Sequence, residues 1–253
     1  MGYRPARPLL RPFRLPTSVL PLLLTASLGL AAPLTAPEVA AQAVAQEAIR
    51  NTTTGATPEA IGGEAAQDAM VFDVLRDGDK IGEHRLDFER LDGTLKVSVE
   101  TEMKVSFAFV TLFRYEHKRV ERWRDGELES LAGMTHDDGE EFEVSIVRKE
   151  GFYSRTVNGT EEEIREPLSV DSLWSKDRLS AGKLFSVASG ESYRVRSNML
   201  GWETIEAKGG SMEAEHVKLS GEVERDLWYG PSGELLKVQY EGAEGETFEY
   251  VRR

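Results

Sequence analysis

Eight glycine-containing turn pairs divide the chain from residue 77 onward into short segments: Asp77-Gly78, Asp92-Gly93, Asp125-Gly126, Asp138-Gly139, Asn158-Gly159, Ser189-Gly190, Ser232-Gly233 and Glu244-Gly245. A type I′ hairpin turn needs positive φ at both central residues, a conformation that Gly, Asn and Asp tolerate best. Pairs of this kind at intervals of one strand length specify an antiparallel meander. They specify no chemistry.

Between the turns the hydrophobic period is two. Leu95, Val97, Val99, Met103 and Val105 alternate with Lys96, Ser98, Glu100, Glu102 and Lys104. Side chains on a strand point alternately to opposite faces, so this pattern gives one dry and one wet face. The odd-numbered parity runs on through Phe107, Phe109, Phe113, Tyr115 and His117 to Trp123. That is too long for one ordinary strand, which predicts a bend or loop within 106–112. Further strands are predicted at 71–76, 81–89, 127–135, 141–149, 152–157, 193–197, 213–219, 225–229, 235–240 and 247–251. Residues 168–179 break the pattern: Val170, Leu173 and Trp174 recur at helical spacing, with Ser169 or Asp171 available as N-cap, and predict a short helix. The expected fold is therefore mainly β, a long antiparallel meander with one short helix. Twist accumulates over so many strands, so the sheet must curl into a barrel or half-barrel, or split into a sandwich.

The N-terminal region has a different character. Arg4, Arg7, Arg11 and Arg14 precede an apolar stretch at 15–32, and the small-residue run at 40–45 offers Ala-x-Ala sites. This order is that of a secretory signal peptide, with cleavage expected after Ala45 and Ala41 or Ala43 as alternatives. Pro16 and Pro21 argue against a transmembrane anchor. Residues 46–69 read as a flexible linker and 70–253 as a single β domain, expected in the periplasm. The chain has no cysteine, which excludes a lipoprotein anchor, disulfides and thiol chemistry. Cleavage after Ala45 would leave 27 basic and 43 acidic residues, a net charge of −16 that repels nucleic acid and anionic lipid surfaces. Beyond the leader no apolar run is long enough to span a membrane as a helix.

Catalytic signatures are absent. The histidines, His84, His117, His136 and His216, show no metal-ligand spacing, and no G-x-S-x-G, Walker A or G-x-G-x-x-G motif occurs. Ser180-Ala181-Gly182-Lys183 matches S-x-x-K without its companion motifs and is assigned to a loop after the helix. The carboxylate clusters at Asp137, Asp138, Glu140, Glu141 and Glu143 and at 161–163 read as solvated charge on turns and strand edges. Within 114–119, Arg114, Glu116 and Lys118 share one strand face and Tyr115, His117 and Arg119 the other. That arrangement fits cross-strand ion pairs, or a cavity mouth with Tyr115 and His117. No cofactor or metal is implied. The remaining candidate is apolar: Phe107, Phe109, Phe113, Tyr115, Trp123 and Trp174 would line a pocket if the curled sheet is incompletely filled, and form a packed core otherwise.

The combination of Phe107-Ala108-Phe109-Val110, Arg114-Tyr115-Glu116-His117, Glu121-Arg122-Trp123, Ser172-Leu173-Trp174 and Asp226-Leu227-Trp228-Tyr229 resembles a family of exported proteobacterial proteins with an uncharacterised domain. The resemblance covers 71–253. More loosely, the closing segment Trp228-Tyr229-Gly230-Pro231-Ser232-Gly233 is similar to that of periplasmic lipoprotein carriers. That likeness implies a half-barrel around an apolar cavity for acyl chains and transfers no site residue. The expectation is an exported, soluble, non-enzymatic half-barrel that binds an apolar or amphipathic, lipid-like ligand at the cell envelope. The alternatives are an interaction protein with a filled barrel and a hydrolase built from dispersed His and carboxylate residues. Oligomeric state and partner are left open.

Overall fold

The structure, a computed structural model, describes residues 68–107, 110–165, 167–179 and 182–253. The expected leader and the linker up to residue 67 lie outside these residues, as do Phe109 and the side chain of Phe107.

The described chain forms one 15-stranded sheet. The strands are β1 (Asp68–Arg76), β2 (Asp79–Leu91), β3 (Thr94–Phe107), β4 (Val110–Arg124), β5 (Glu127–Asp137), β6 (Glu140–Lys149), β7 (Phe152–Val157), β8 (Thr160–Ile164), β9 (Ser169–Val170), β10 (Gly182–Phe185), β11 (Ser192–Ala207), β12 (Gly210–Gly221), β13 (Arg225–Tyr229), β14 (Leu235–Glu241) and β15 (Thr247–Arg252). The first eight run as a meander from β1 outward to β8. The last seven run back from β9 to β15, which pairs with β1 and joins the halves. Neighbours are antiparallel except β9 and β10, which are parallel.

Local chemistry accounts for the hairpins. At Asp77-Gly78, Asp92-Gly93, Asp125-Gly126, Asp138-Gly139 and Asn158-Gly159 both residues have positive φ, as type I′ geometry requires. Ser189-Gly190, Ser232-Gly233 and Glu244-Gly245 carry positive φ on the glycine alone, and Lys208-Gly209 supplies a further positive-φ pair without a helpful first residue. Register shifts at Val74/Leu75, Val105/Ser106, Arg122/Trp123, Met199/Gly201 and Trp228/Tyr229 add local twist and help the sheet curl. Gly82 sits beside the first of these. A Cβ there would lie 2.0 Å from Glu102 O, so β2 approaches β3 only because the side chain is missing. Gly82→Ala is expected to destabilise the domain by about 1–3 kcal/mol, read as a lower denaturation midpoint.

The curl brings the two ends of the sheet together with no backbone pairing between the end strands among the described residues. Arg155 of β7 lies over the Phe185 ring of β10 at 4.4 Å and donates from Nη1 to Ser192 Oγ at 3.2 Å. The main core fills one end of the curl with Phe72, Leu86, Phe88, Val97, Val99, Leu131, Val144, Ile146, Val217, Leu219, Leu227 and Tyr229.

Residues 168–179 differ from their predicted helix. They hold β9, a turn and a single 3-10 turn at Lys176–Arg178. An isolated helix of that length is marginal, and external partners take its backbone groups instead. Asp171 N donates to Phe185 O, Lys176 N to Gly233 O, Leu235 N to Trp174 O, and Tyr229 Oη to Leu173 O. The segment thus lies across the curl as a strap.

Three strands escaped the sequence reading: β8, β9 and β10. β8 is rich in glutamate (Glu161, Glu162 and Glu163) and forms one edge of the sheet, where charge deters pairing with another chain. The other carboxylate cluster lies around the β5–β6 hairpin.

Candidate functional site

β4 carries the polar side of the interior. Its odd residues Tyr115, His117, Arg119, Glu121 and Trp123 are all buried, while on its other face Arg114, Glu116, Lys118, Arg122 and Arg124 are exposed or half-buried and Val120 is buried. There Arg114 pairs with Glu116 and Lys118 with Glu100. One strand therefore holds both alternatives raised by the sequence, with the ion pairs on its outer face and the polar interior on the other.

At the level of His117 the register aligns four polar side chains on successive strands. His84 of β2 faces Thr101 of β3, Thr101 faces His117 of β4, and His117 faces Thr135 of β5. His84 Nδ1 lies 2.7 Å from Thr101 Oγ1, and His117 Nδ1 lies 2.8 Å from Thr135 Oγ1. Burial lowers the pKa of His84 to about 3, with the charge of Arg119 adding to the effect. Burial, then Arg119 and His84, holds His117 well below the usual histidine range. Both imidazoles are neutral at ordinary pH. His117 Nε2 is buried and has no hydrogen-bond partner in the protein.

Two inward positions further along β4, Glu121 is fully buried and gathers the strap. It accepts from Ser172 Oγ at 2.7 Å, from Trp123 Nε1 at 2.8 Å and from Trp174 Nε1 at 3.2 Å. Arg119 Nε stands 2.9 Å from Glu121 Oε1 as an ion pair whose angles fall short of a hydrogen bond, and Arg119 Nη1 donates to Asp171 Oδ1 at 2.9 Å. Burial opposes the charge on Arg119, but Glu121 and Asp171 outweigh it and raise its pKa. Burial likewise raises the pKa of Asp171 despite Arg119 beside it.

Between this network and the opposite strands the core leaves a cavity of about 150 Å³. Leu86, Leu173, Leu184, Leu219, Leu235 and Val238 supply its apolar wall, with Tyr115, Trp174, Tyr240 and Tyr250 as aromatic lining. His84, Thr101, His117, Arg119 and Asp171 form its polar side. Val223, Arg225 and Tyr240 line both the cavity and an adjoining surface groove, which marks the mouth. The Arg225 guanidinium lies 4.1 Å from the Tyr240 ring centroid and has no carboxylate partner among the described residues. A larger groove of about 770 Å³ runs beside the β7–β8 hairpin. Its lining includes Glu127, Arg148, Lys149, Glu150, Arg165 and Asp177, so it resembles solvated surface more than a ligand site.

The aromatic residues singled out from sequence separate in space. Tyr115 and Trp174 line the cavity. Trp123 lies edge-on to Trp174, with centroids 6.4 Å apart, and borders the larger groove. Phe113 packs on the cluster of Val74, Met103 and Tyr115 and does not reach the cavity. Of the remaining histidines, His136 is exposed beside Glu141, and His216 stacks on Trp228 with Nε2 at 2.7 Å from Asp226 Oδ1. Lys183 of the S-x-x-K match lies on β10, while its Ser180 is outside the described residues. Sequence reasoning missed His84, Thr101, Asp171, Arg225, Tyr240 and Tyr250. Parity alone could have placed Arg119 inward, but it could not name the strands that share its level.

Among the described residues no cluster of three or more His, Asp or Glu residues is arranged to hold a metal ion, and no helix is long and apolar enough to cross a membrane. A family model described as a domain of unknown function, DUF6134, matches residues 72–253. The fold is similar to the crystal structure of a beta-barrel-like protein of domain of unknown function DUF1849 from Brucella abortus. That match has a TM-score of 0.52 and 7% identity over 75% of this chain and 96% of that one. Comparison with curated proteins gave no match.

Proposed function

We propose that this chain, which belongs to the DUF6134 family of domains of unknown function, is an exported binding module of the cell envelope. Its curled sheet would hold a small apolar or amphipathic molecule, or the end of a lipid-like one. The observation that carries this reading is the cavity inside the curl, with its apolar wall, its aromatic lining and Arg225 at its mouth, where the guanidinium lies over Tyr240 and donates to Glu224 O. Its volume sets a limit. At about 150 Å³ it falls below the range of roughly 300–1,000 Å³ usual for drug-sized ligands, so a whole acyl chain would not fit inside. An anionic head group is the natural companion for Arg225 at the mouth.

Native mass spectrometry with organic extraction, on protein recovered from the periplasm without detergent, tests the reading. The expected result is a bound small apolar or amphipathic species that is displaced when Ala188, on the cavity wall, is changed to Phe. A clean apo mass, with no uptake of added fatty acids or single-ring aromatics, would overturn it. The mass of the recovered chain also tests export, which predicts loss of residues 1–45.

A second reading, contact through the outer surface, is favoured by the distal half of β11. Beyond Val195, β12 is the only described strand hydrogen-bonded to β11. Met199, Leu200 and Trp202 are 67%, 57% and 54% exposed along that free edge. A free edge can pair antiparallel with the same edge of a second copy. Concentration-dependent light scattering should then show a dimer that Leu200→Lys abolishes, and a monomer at all concentrations would dismiss it.

A further inference from the structure

We propose that the inner end of the cavity is a seat for a neutral hydroxyl group, centred on His117 Nε2, and that the preferred occupant is a single-ring phenol. The proposal rests on the ligand-binding reading above and narrows its substrate class.

His117 is only 4% exposed and lines the cavity, and its Nε2 has no protein partner. Buried polar atoms are nearly always hydrogen-bonded, so an orphan nitrogen on a side chain that lines a cavity calls for a partner. The rest of the polar side is already engaged: His84 and His117 each use Nδ1 on a threonine, and Arg119 is held between Glu121 and Asp171. Arg119 Nε also lacks a hydrogen bond but stands 2.9 Å from Glu121 Oε1, which leaves His117 Nε2 as the nitrogen of this polar side with neither a hydrogen bond nor an ion-pair partner.

Three features decide the chemistry of that group. First, the imidazole is neutral, so it carries one N–H and one lone pair, and the Thr135 contact occupies one of them. Whichever tautomer is present, Nε2 offers the complementary role, and a hydroxyl satisfies both because it can donate and accept. Second, a carboxylate could only accept, and an ammonium only donate. Either would bring a full charge beside Arg119, which Glu121 and Asp171 already neutralise. Third, the size and walls suit one ring. Apolar cavities of roughly this volume take a benzene-sized molecule, and Tyr115, Trp174, Tyr240 and Tyr250 supply aromatic surface for edge-to-face contact.

Titration of the mature chain with toluene, phenol and benzoate, followed by calorimetry and by ¹⁵N resonances of the histidine side chains, tests the seat. Phenol is expected to bind roughly tenfold more tightly than toluene, to shift the His117 Nε2 resonance and to leave those of His136 and His216 in place. His117→Leu should remove the preference, lowering phenol to the affinity of toluene while toluene still binds. If that variant fails to fold, the ¹⁵N shift in the wild-type protein decides alone. Equal binding of toluene and phenol without a His117 shift would overturn the seat and leave the cavity reading standing, with buried water as the partner of Nε2. Tighter binding of benzoate than phenol would also overturn it and point to Arg225. Binding of none of the three would overturn the seat, and uptake of fatty acids would then decide the binding-module reading.

Discussion

Replacing Glu121 by alanine should lower the stability of the domain by about 3–5 kcal/mol, the cost typical of removing one partner of a buried ion pair. Glu121 is 0% exposed, so water cannot take over its role. Its loss would strand Ser172 Oγ, Trp123 Nε1 and Trp174 Nε1, and leave Arg119 with Asp171 alone. The effect should extend beyond a local defect, because two of the three donors belong to the strap that crosses the curl. Thermal denaturation followed by circular dichroism should show the loss as a fall in Tm of roughly 10 °C. Tryptophan fluorescence should report the release of Trp123 and Trp174. Arg119→Met in the Glu121→Leu background should recover part of the stability, since a buried pair replaced by apolar groups no longer leaves a lone charge. A loss below about 1 kcal/mol for Glu121→Ala would show that the strap is held by its backbone contacts and not by the carboxylate.

Acidification should act on the row of polar side chains at the level of His117. His84 titrates at about 3 in the folded protein and His117 well below its usual value, whereas both titrate near 6.5 when unfolded. Below pH 6.5 the unfolded chain therefore binds protons that the folded chain refuses. The contribution of these two residues to stability is intact above pH 6.5 and is lost as the pH falls from there towards about 3. Between pH 7 and 5 the loss is about 2 kcal/mol for His84, and His117 adds a loss of the same sign. Acid also relieves the self-repulsion of this negatively charged chain, an opposing effect common to wild type and variants. Urea denaturation at the two pH values should thus show a steep loss in the wild type and a flatter profile in His84→Gln/His117→Gln. Equal slopes in the two proteins would mean that the imidazoles are reached by water and protonate freely.

Much of the fold could be read from the chain because its signals are local. Asp-Gly and Asn-Gly pairs fix φ at two residues, and five of those hairpins form where the sequence places them. Period-two alternation fixes which side chains share a face, so the inward set of β3 and β4 was legible from Leu95 to Trp123, as was the interruption between the two strands. The failures follow the same rule. Leu173 and Trp174 fall at helical spacing, yet the backbone around them bonds to Phe185, Gly233 and Leu235, partners that local spacing cannot reveal. The glutamates of β8 read as solvated charge, and the structure gives them an edge strand because β7 offers a template for pairing. Lys208-Gly209 makes a tight turn with no favourable first residue because β11 and β12 pair along nearly their whole length and force it.

The candidate site was legible only in part, for a reason of register. Tyr115, His117 and Arg119 share a face by parity alone, and that much needs one strand. That His84, Thr101, His117 and Thr135 stand at one level requires the pairing offset of three successive hairpins, each of which a single-residue slip would undo. Arg225, Tyr240 and Tyr250 reach the same cavity from strands more than a hundred residues further on, brought there by the pairing of β1 with β15. By itself, then, the sequence determined the turns, the strand parity, the meander and the absence of thiol chemistry. Tertiary structure alone decided the strap held on Glu121, the meeting of the sheet's two ends and a cavity lined by an imidazole with one nitrogen unpartnered. Backbone propensity and alternation act over a few residues, whereas a cavity is set by how distant side chains fill, or fail to fill, the space that closure of the sheet creates.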